Sequence, residues 1–117
     1  MTDSVKYQLR ILNLSCYRQD ESDGDEVFLK INKDKVWPVD AKYVKVKEGD
    51  HKVAHNIEGI AKDETVSIEL WEYDFWTPND KLGVFSMLIN ERGGPFKTDL
   101  KVEKGEEAKY SLEWEVY

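Results

Sequence analysis

Three carboxylates stand close together in the segment Trp71-Glu72-Tyr73-Asp74-Phe75-Trp76-Thr77-Pro78-Asn79-Asp80. Glu72 and Asp74 are two residues apart, so their side chains lean to the same side of an extended backbone. Asp80 returns after a loop that contains a proline. Such a loop can bring carboxylate oxygens to one point, where they repel one another unless a cation binds, and calcium takes roughly six to eight oxygen ligands. The pattern predicts a calcium site that includes Glu72, Asp74 and Asp80.

The elements that must position these carboxylates are β-strands, because apolar and polar residues alternate along most of the chain. About eight short strands, separated by turns rich in Gly, Asp and Pro, predict an all-β, eight-stranded antiparallel β-sandwich. We expect residues 1–117 to form a single domain of this kind. The predicted strands cover residues 5–11, 27–31, a short stretch ending at Trp37, 43–47, 51–57, 66–71, 82–89 and 110–116.

The acidic loop resembles the third calcium-binding loop of C2 domains. That family carries Trp-Asp-aromatic-Asp, a short loop, and then Asn-Asp or His-Asp followed shortly by a Gly. Here Trp71-Glu72-Tyr73-Asp74 and Asn79-Asp80-Lys81-Leu82-Gly83 match the spacing. The resemblance implies a C2-like sandwich with calcium ligands at Glu72, Asp74 and Asp80. Glu72 stands where the family usually has Asp.

A second acidic stretch is similar to the family's first loop, which supplies the other calcium ligands. The family's pattern is Asp, a Gly-containing turn and Asp-Pro-Tyr-Val-Lys, and this chain has Asp23-Gly24-Asp25-Glu26-Val27-Phe28-Leu29-Lys30, without the Pro. Aligning Phe28-Leu29-Lys30 with Tyr-Val-Lys places Glu26 at the second acidic position, whereas Asp25 requires a bulge of one residue. We favour Asp25 with such a bulge, and Asp20 or Asp23 as its earlier partner.

Exposed aromatics and lysines are the candidate docking residues. The family resemblance implies that Phe75 and Trp76, at the loop tip, dip into lipid once calcium neutralises the carboxylates, and tryptophan suits the membrane interface. The alternative is that Trp76 folds back over the core. Residues 30–52 hold seven lysines against four acids. The resemblance implies that three of these lysines meet anionic headgroups, and the alternative is that they guard sheet edges. Those three are Lys42, Lys45 and Lys47.

Composition narrows the function classes. The 17 basic and 24 acidic residues give a net charge of −7, which argues against nucleic-acid binding and favours cations. No apolar run is long enough to span a membrane. The single cysteine, Cys16, and a start without an apolar signal segment predict a cytoplasmic protein that can associate peripherally with membranes.

Catalysis is not expected from this sequence. No nucleophile motif or phosphate-binding loop is present, and a chain of 117 residues leaves little room for a cleft around an acid–base pair such as Asp74 and Asp80. His51 and His55 share a strand face, but zinc requires further ligands. The expected function is calcium-dependent docking on an anionic phospholipid membrane or a protein partner. The competing hypothesis is a calcium-independent structural or assembly module. A third possibility is that the carboxylates only solvate loop tips.

Overall fold

The computed structural model describes residues 5–117. Met1 to Ser4, from which the missing signal segment was inferred, lie outside the described residues. The described residues form ten strands: β1 (Lys6–Arg18), β2 (Asp25–Ile31), β3 (Asp34–Trp37), β4 (Val44–Val46), β5 (Gly49–Ala61), β6 (Glu64–Glu72), β7 (Asp80–Ile89), β8 (Gly93–Asp99), β9 (Lys101–Val102) and β10 (Lys109–Val116). No helix within residues 5–117 is long and apolar enough to cross a membrane.

The strands form two antiparallel sheets. One sheet has four strands in the order β5-β1-β10-β8, and the other has six, with β3-β2-β6-β7-β9 in a row and β4 paired to β2. The predicted all-β antiparallel sandwich is therefore confirmed. The described residues contain ten strands instead of eight, because β8 and β9 were not predicted.

The core lies between the sheets and is built from the alternating apolar residues of the sequence. The predicted apolar face of β10 is buried, including Tyr110 and Leu112 at 2% and 0% exposure. The facing sheet contributes the alternating residues of β6 and β7, among them Ile68 and Phe85, both at 0% exposure. Removing this apolar area from water is the main stabilising term of the fold.

β1 is longer than its predicted span of residues 5–11 because a bulge changes which residues face inward. Leu9 and Ile11 are buried, and after a register shift between Ile11 and Asn13 the buried residues are Leu14 and Cys16. A bulge adds a residue and moves the inward face by one position. The period-2 pattern is therefore interrupted although the strand continues to Arg18.

Two of the strand tryptophans are core residues, and the third faces outward. Trp37 and Trp114 are each 8% exposed. Trp71 is only partly buried, its indole N–H donates to Glu69 Oε1 over 3.0 Å, and the ammonium of Lys30 lies 4.5 Å from its ring centroid. Trp71 directly precedes Glu72 at the end of β6.

Strand pairing brings three connections to one end of the sandwich. Arg18 at the end of β1 is opposite Lys109 at the start of β10. Val27 on β2 is opposite Glu72, and Glu72 is opposite Asp80 across the β6–β7 pair. The β1–β2 loop (residues 19–24), the β6–β7 loop (residues 73–79) and the β9–β10 loop (residues 103–108) therefore lie together. We call this region, with its carboxylates, the acidic end: Asp20, Glu21, Asp23, Asp25, Glu26, Glu72, Asp74, Asp80 and Glu106.

Candidate metal centre at the acidic end

Three carboxylates of the acidic end converge on one point. Oxygen atoms of Asp20, Glu21 and Glu72 all lie within 4.8 Å of one another, and within residues 5–117 this is the group of acidic, His or Cys side chains close enough to share an ion. Asp20 and Glu21 come from the β1–β2 loop, and Glu72 is the last residue of β6. The structure thus joins the two acidic segments of the sequence, as the predicted site requires.

Asp25 fixes the β1–β2 loop by accepting hydrogen bonds from the loop backbone. Its side chain has 0% exposure. One carboxylate oxygen accepts the backbone N–H of Glu21 at 2.8 Å, and the other accepts the N–H of Asp20 at 2.8 Å and the hydroxyl of Tyr110 at 2.5 Å. Three of the roughly four lone-pair positions of this carboxylate are therefore used inside the protein.

Gly24 closes the same loop immediately before β2. Its φ of +106° lies in the left-handed region, which glycine adopts without steric cost. A Cβ at this position would lie 3.0 Å from the carbonyl oxygen of Val46 on β4. The loop can therefore pack closely against β4 because residue 24 is a glycine.

The other sequence-predicted ligands lie around this point with separate partners. Asp23 is exposed and forms an ion pair with Lys45 at 3.7 Å. Asp74 Oδ1 accepts the backbone N–H groups of Trp76 at 2.9 Å and Thr77 at 3.1 Å. Hydrogen bonds from Thr77 and then from the Trp76 N–H lower the pKa of Asp74. Asp80 is exposed at the start of β7. These residues share the acidic end, but their carboxylates do not join the three-residue cluster.

A third connection adds a carboxylate that the sequence did not indicate. Glu106, in the β9–β10 loop, is partly buried against Asp20, and the N–H of the next residue, Glu107, donates to Asp20 Oδ1 at 3.2 Å. Burial raises the pKa of Glu106 to about 6, with Asp20 and Asp80 contributing. Asp20 is thus surrounded by negative charge from two loops.

Ionisation of Glu72 is unfavourable in this cluster. Burial, followed by the charges of Asp25, Glu21 and Asp20, raises the pKa of Glu72 to about 8. Like charges and burial both disfavour the ionised carboxylate, and a bound cation would reverse this effect. The donor set is all oxygen, which is the ligand type that calcium prefers.

The tip of the β6–β7 loop is aromatic and exposed. Phe75 and Trp76 are 72% and 88% exposed, and their rings meet edge to face with centroids 4.9 Å apart. Both rings line an open cleft of about 310 Å³ whose other walls carry Glu21, Glu26 and Glu72 among other residues. The alternative in which Trp76 folds back over the core does not occur in this structure.

The three candidate lysines lie beside the acidic end. Lys45 lies on β4 opposite Glu26, and Lys47 follows that strand close to Gly24. Lys42 lies on the β3–β4 connection, where its ammonium is 5.7 Å from the ring centroid of Tyr73. Positive charge therefore flanks the carboxylates instead of lying at a separate face.

Glu21 and Glu106 were not among the predicted site residues. Glu21 neighbours Asp20 in an acidic run, and only the path of the loop shows that both carboxylates reach the cluster. The only signal for Glu106 is a glycine turn, Gly105, that precedes the last strand. Its position depends on the pairing of β1 with β10, which a single sequence does not specify.

Comparisons with known proteins agree on the fold. No protein-family model and no curated protein matches the sequence. A C2 domain of plant Extended Synaptotagmin 1, its A domain, is similar in structure. The TM-score is 0.59 and the identity 13%, over 98% of this chain and 95% of that chain. A structure of the paired A and B C2 domains of Extended-Synaptotagmin 2 is also similar, with a TM-score of 0.57 and 15% identity over 99% of this chain. This chain spans 42% of the length of that second protein. At such low identity the match establishes fold alone, and the chain is a C2-like β-sandwich.

Proposed function

We propose that this chain is a calcium-binding module that docks on anionic phospholipid membranes through its acidic end. The supporting observation is that oxygens of Asp20, Glu21 and Glu72 lie within 4.8 Å of one another. Oxygens that share one calcium ion, each at roughly 2.3–2.6 Å from it, are at most about 5 Å apart. The spacing is therefore in the range in which one ion can contact all three carboxylates. The raised pKa of Glu72 supports the same conclusion, since the cluster lacks a compensating positive charge.

The proposed ligand set has a centre and a rim. The centre is the three-residue cluster, and the rim consists of carboxylates from the same end whose oxygens, together with water, complete the coordination of a flexible ion such as calcium. The sequence-predicted ligands that remain in the proposed rim are Asp23, Asp25, Asp74 and Asp80. Glu106 joins them as a further negative charge beside Asp20.

The proposed mechanism is an electrostatic switch and not catalysis. Without calcium the acidic end repels an anionic surface, and the nearby lysines are partly neutralised, as the ion pair of Lys45 with Asp23 illustrates. The carboxylates of the acidic end would hold the ion, whose positive charge would offset theirs and leave Lys42, Lys45 and Lys47 available to anionic headgroups. Each such lysine contributes about 1 kcal/mol near a charged surface. Such a module would act at the cytoplasmic face of a membrane.

The exposed tip supplies the apolar part of the proposed docking. We expect Trp76→Ala to weaken calcium-dependent binding to phosphatidylserine vesicles about ten-fold, because burying a large apolar side chain contributes roughly 1.5–3 kcal/mol. Sedimentation of the protein with vesicles of increasing phosphatidylserine content, in calcium and in chelator, measures the effect.

A matched control is Leu88→Ala, which removes another exposed apolar side chain from β7 at 51% exposure. Leu88 pairs with Thr65, away from the acidic end, so its removal should leave vesicle binding unchanged. Equal binding of Trp76→Ala and the unsubstituted protein would contradict the assignment of the tip.

A calcium-independent assembly module is the second candidate, and one observation favours it. Asp23 forms an ion pair with Lys45, and Asp25 accepts the Tyr110 hydroxyl, so two carboxylates of the acidic end already have partners without an ion. Phe75 and Trp76 would then contact a protein partner, since exposed aromatics are frequent anchors of protein interfaces. This candidate predicts no sedimentation with phosphatidylserine vesicles at any calcium concentration.

A further inference from the structure

Tyr110 connects the acidic end to the core of the sandwich. It lies on β10, is 2% exposed, and its hydroxyl donates to Asp25 Oδ2 at 2.5 Å. Burial, together with the neighbouring Asp25 charge, raises the pKa of Tyr110, so its hydroxyl keeps its proton. The hydroxyl is therefore a permanent donor to a carboxylate that is itself completely buried.

The same carboxylate is the attachment point of the β1–β2 loop. Asp25 accepts the consecutive backbone N–H groups of Asp20 and Glu21, and these are two of the three residues whose side chains meet in the cluster. Two consecutive N–H groups fixed on one acceptor determine the direction of the peptide planes at those residues. They therefore determine where the side chains of Asp20 and Glu21 start.

We propose that Tyr110 is a positioning residue for the calcium site, acting through Asp25 to hold Asp20 and Glu21 within reach of Glu72. This inference rests on the proposed function and adds a residue that contacts no ion. Tyr110 lies in a different sheet from Glu72, since β10 belongs to the four-stranded sheet and β6 to the six-stranded sheet. The hydrogen bond thus fixes the β1–β2 loop across the sandwich.

Two interpretations of the Tyr110 hydroxyl predict opposite changes in calcium affinity when it is removed. If the Tyr110 hydroxyl does no more than occupy a lone pair of Asp25 that calcium would otherwise use, its removal frees a ligand position and calcium binds equally well or more tightly. If the hydroxyl positions the loop, its removal lets Asp20 and Glu21 move and calcium binds more weakly. The direction of the change in affinity separates the two interpretations.

The test is Tyr110→Phe, which keeps the buried ring and removes the hydroxyl. We expect its calcium dissociation constant, measured by isothermal titration calorimetry, to rise about ten-fold, because a hydrogen bond to a charged group is lost. The matched control is Tyr17→Phe, which removes a tyrosine hydroxyl that hydrogen-bonds to Ser111 Oγ at 2.8 Å, between β1 and β10. The control should leave the dissociation constant unchanged. An unchanged or lower dissociation constant for Tyr110→Phe would overturn the proposal.

A second measurement does not depend on calcium. In the metal-free unsubstituted protein the amides of Asp20 and Glu21 should exchange with solvent at least about ten-fold more slowly than the amide of Asp23 in the same loop. Tyr110→Phe should remove this protection. If the unsubstituted protein binds no calcium, the proposed function fails, and hydrogen exchange still decides whether Tyr110 positions the loop. Absence of protection, or protection that survives in Tyr110→Phe, would refute that role.

Discussion

Chelator-treated protein that receives millimolar calcium is expected to unfold about 10 °C higher than the same protein in chelator. A ligand that binds only the folded state stabilises it by about 2.7 kcal/mol at one hundred times its dissociation constant. For a chain of 117 residues each kcal/mol corresponds to a few degrees in the midpoint of unfolding. Differential scanning calorimetry with increasing calcium measures the shift.

The variant that tests the site is Asp20→Asn combined with Glu72→Gln. It replaces two of the three converging carboxylates, one from the β1–β2 loop and one from the end of β6, and the two amides keep the approximate shape of the carboxylates. We expect the calcium-induced rise to disappear in this variant. The control, Asp34→Asn combined with Glu58→Gln, makes the same chemical changes at exposed positions on β3 and β5 and should keep the full rise.

Two further outcomes are informative. Loss of the rise in Asp74→Asn combined with Asp80→Asn would show that the rim carboxylates predicted from the sequence also hold the ion. A temperature of unfolding that does not respond to calcium in the unsubstituted protein would refute the metal site and leave the assembly module as the better hypothesis.

The sandwich was predictable from sequence wherever one strand face is uniformly apolar. Tyr110, Leu112, Trp114 and Val116 alternate without interruption, and all four are buried. Prediction stopped at Ile11 in β1 because the bulge moves the inward face from odd to even positions. It failed for β8 because Gly93, Gly94 and Pro95 resemble a turn and yet begin an edge strand, where unpaired backbone groups tolerate such residues.

The location of the candidate metal site was predictable from the sequence, but the residues that form it were predictable only in part. Short-range spacing placed Glu72 at the end of a strand, and the structure confirms that strand end. The resemblance to C2 domains identified the β1–β2 loop, but the burial of Asp25 beneath that loop depends on Tyr110, which lies 85 residues away. Which carboxylates of a loop face inward is decided by such long-range hydrogen bonds. Local sequence spacing does not contain this information.

The pH dependence of the free energy of unfolding should show that ionisation of Glu72 destabilises the metal-free protein. Its pKa is about 8 in the folded protein against 4.5 ordinarily. Between these values the folded state holds a proton that the unfolded chain has released, so the stability of the metal-free protein falls as pH rises. After allowance for solvent screening we expect a loss of roughly 2 kcal/mol from this group between pH 5 and pH 8. Urea unfolding at the two pH values measures it.

Glu72→Gln should remove most of this loss and make the metal-free protein more stable at pH 8 than the unsubstituted protein. Glu69→Gln is the matched control on the same strand, because its hydrogen bond from Trp71 and its contacts with Lys81 lower the pKa of Glu69. That residue stabilises the fold above its ordinary pKa, so its replacement should reduce stability at pH 8. If Glu72→Gln loses as much stability between pH 5 and pH 8 as the unsubstituted protein, ionisation of Glu72 is not the cause of that loss. If the loss disappears in this variant, the proposed calcium site predicts in addition that the ion would displace a proton from Glu72 at neutral pH, because a carboxylate binds a cation in its ionised form.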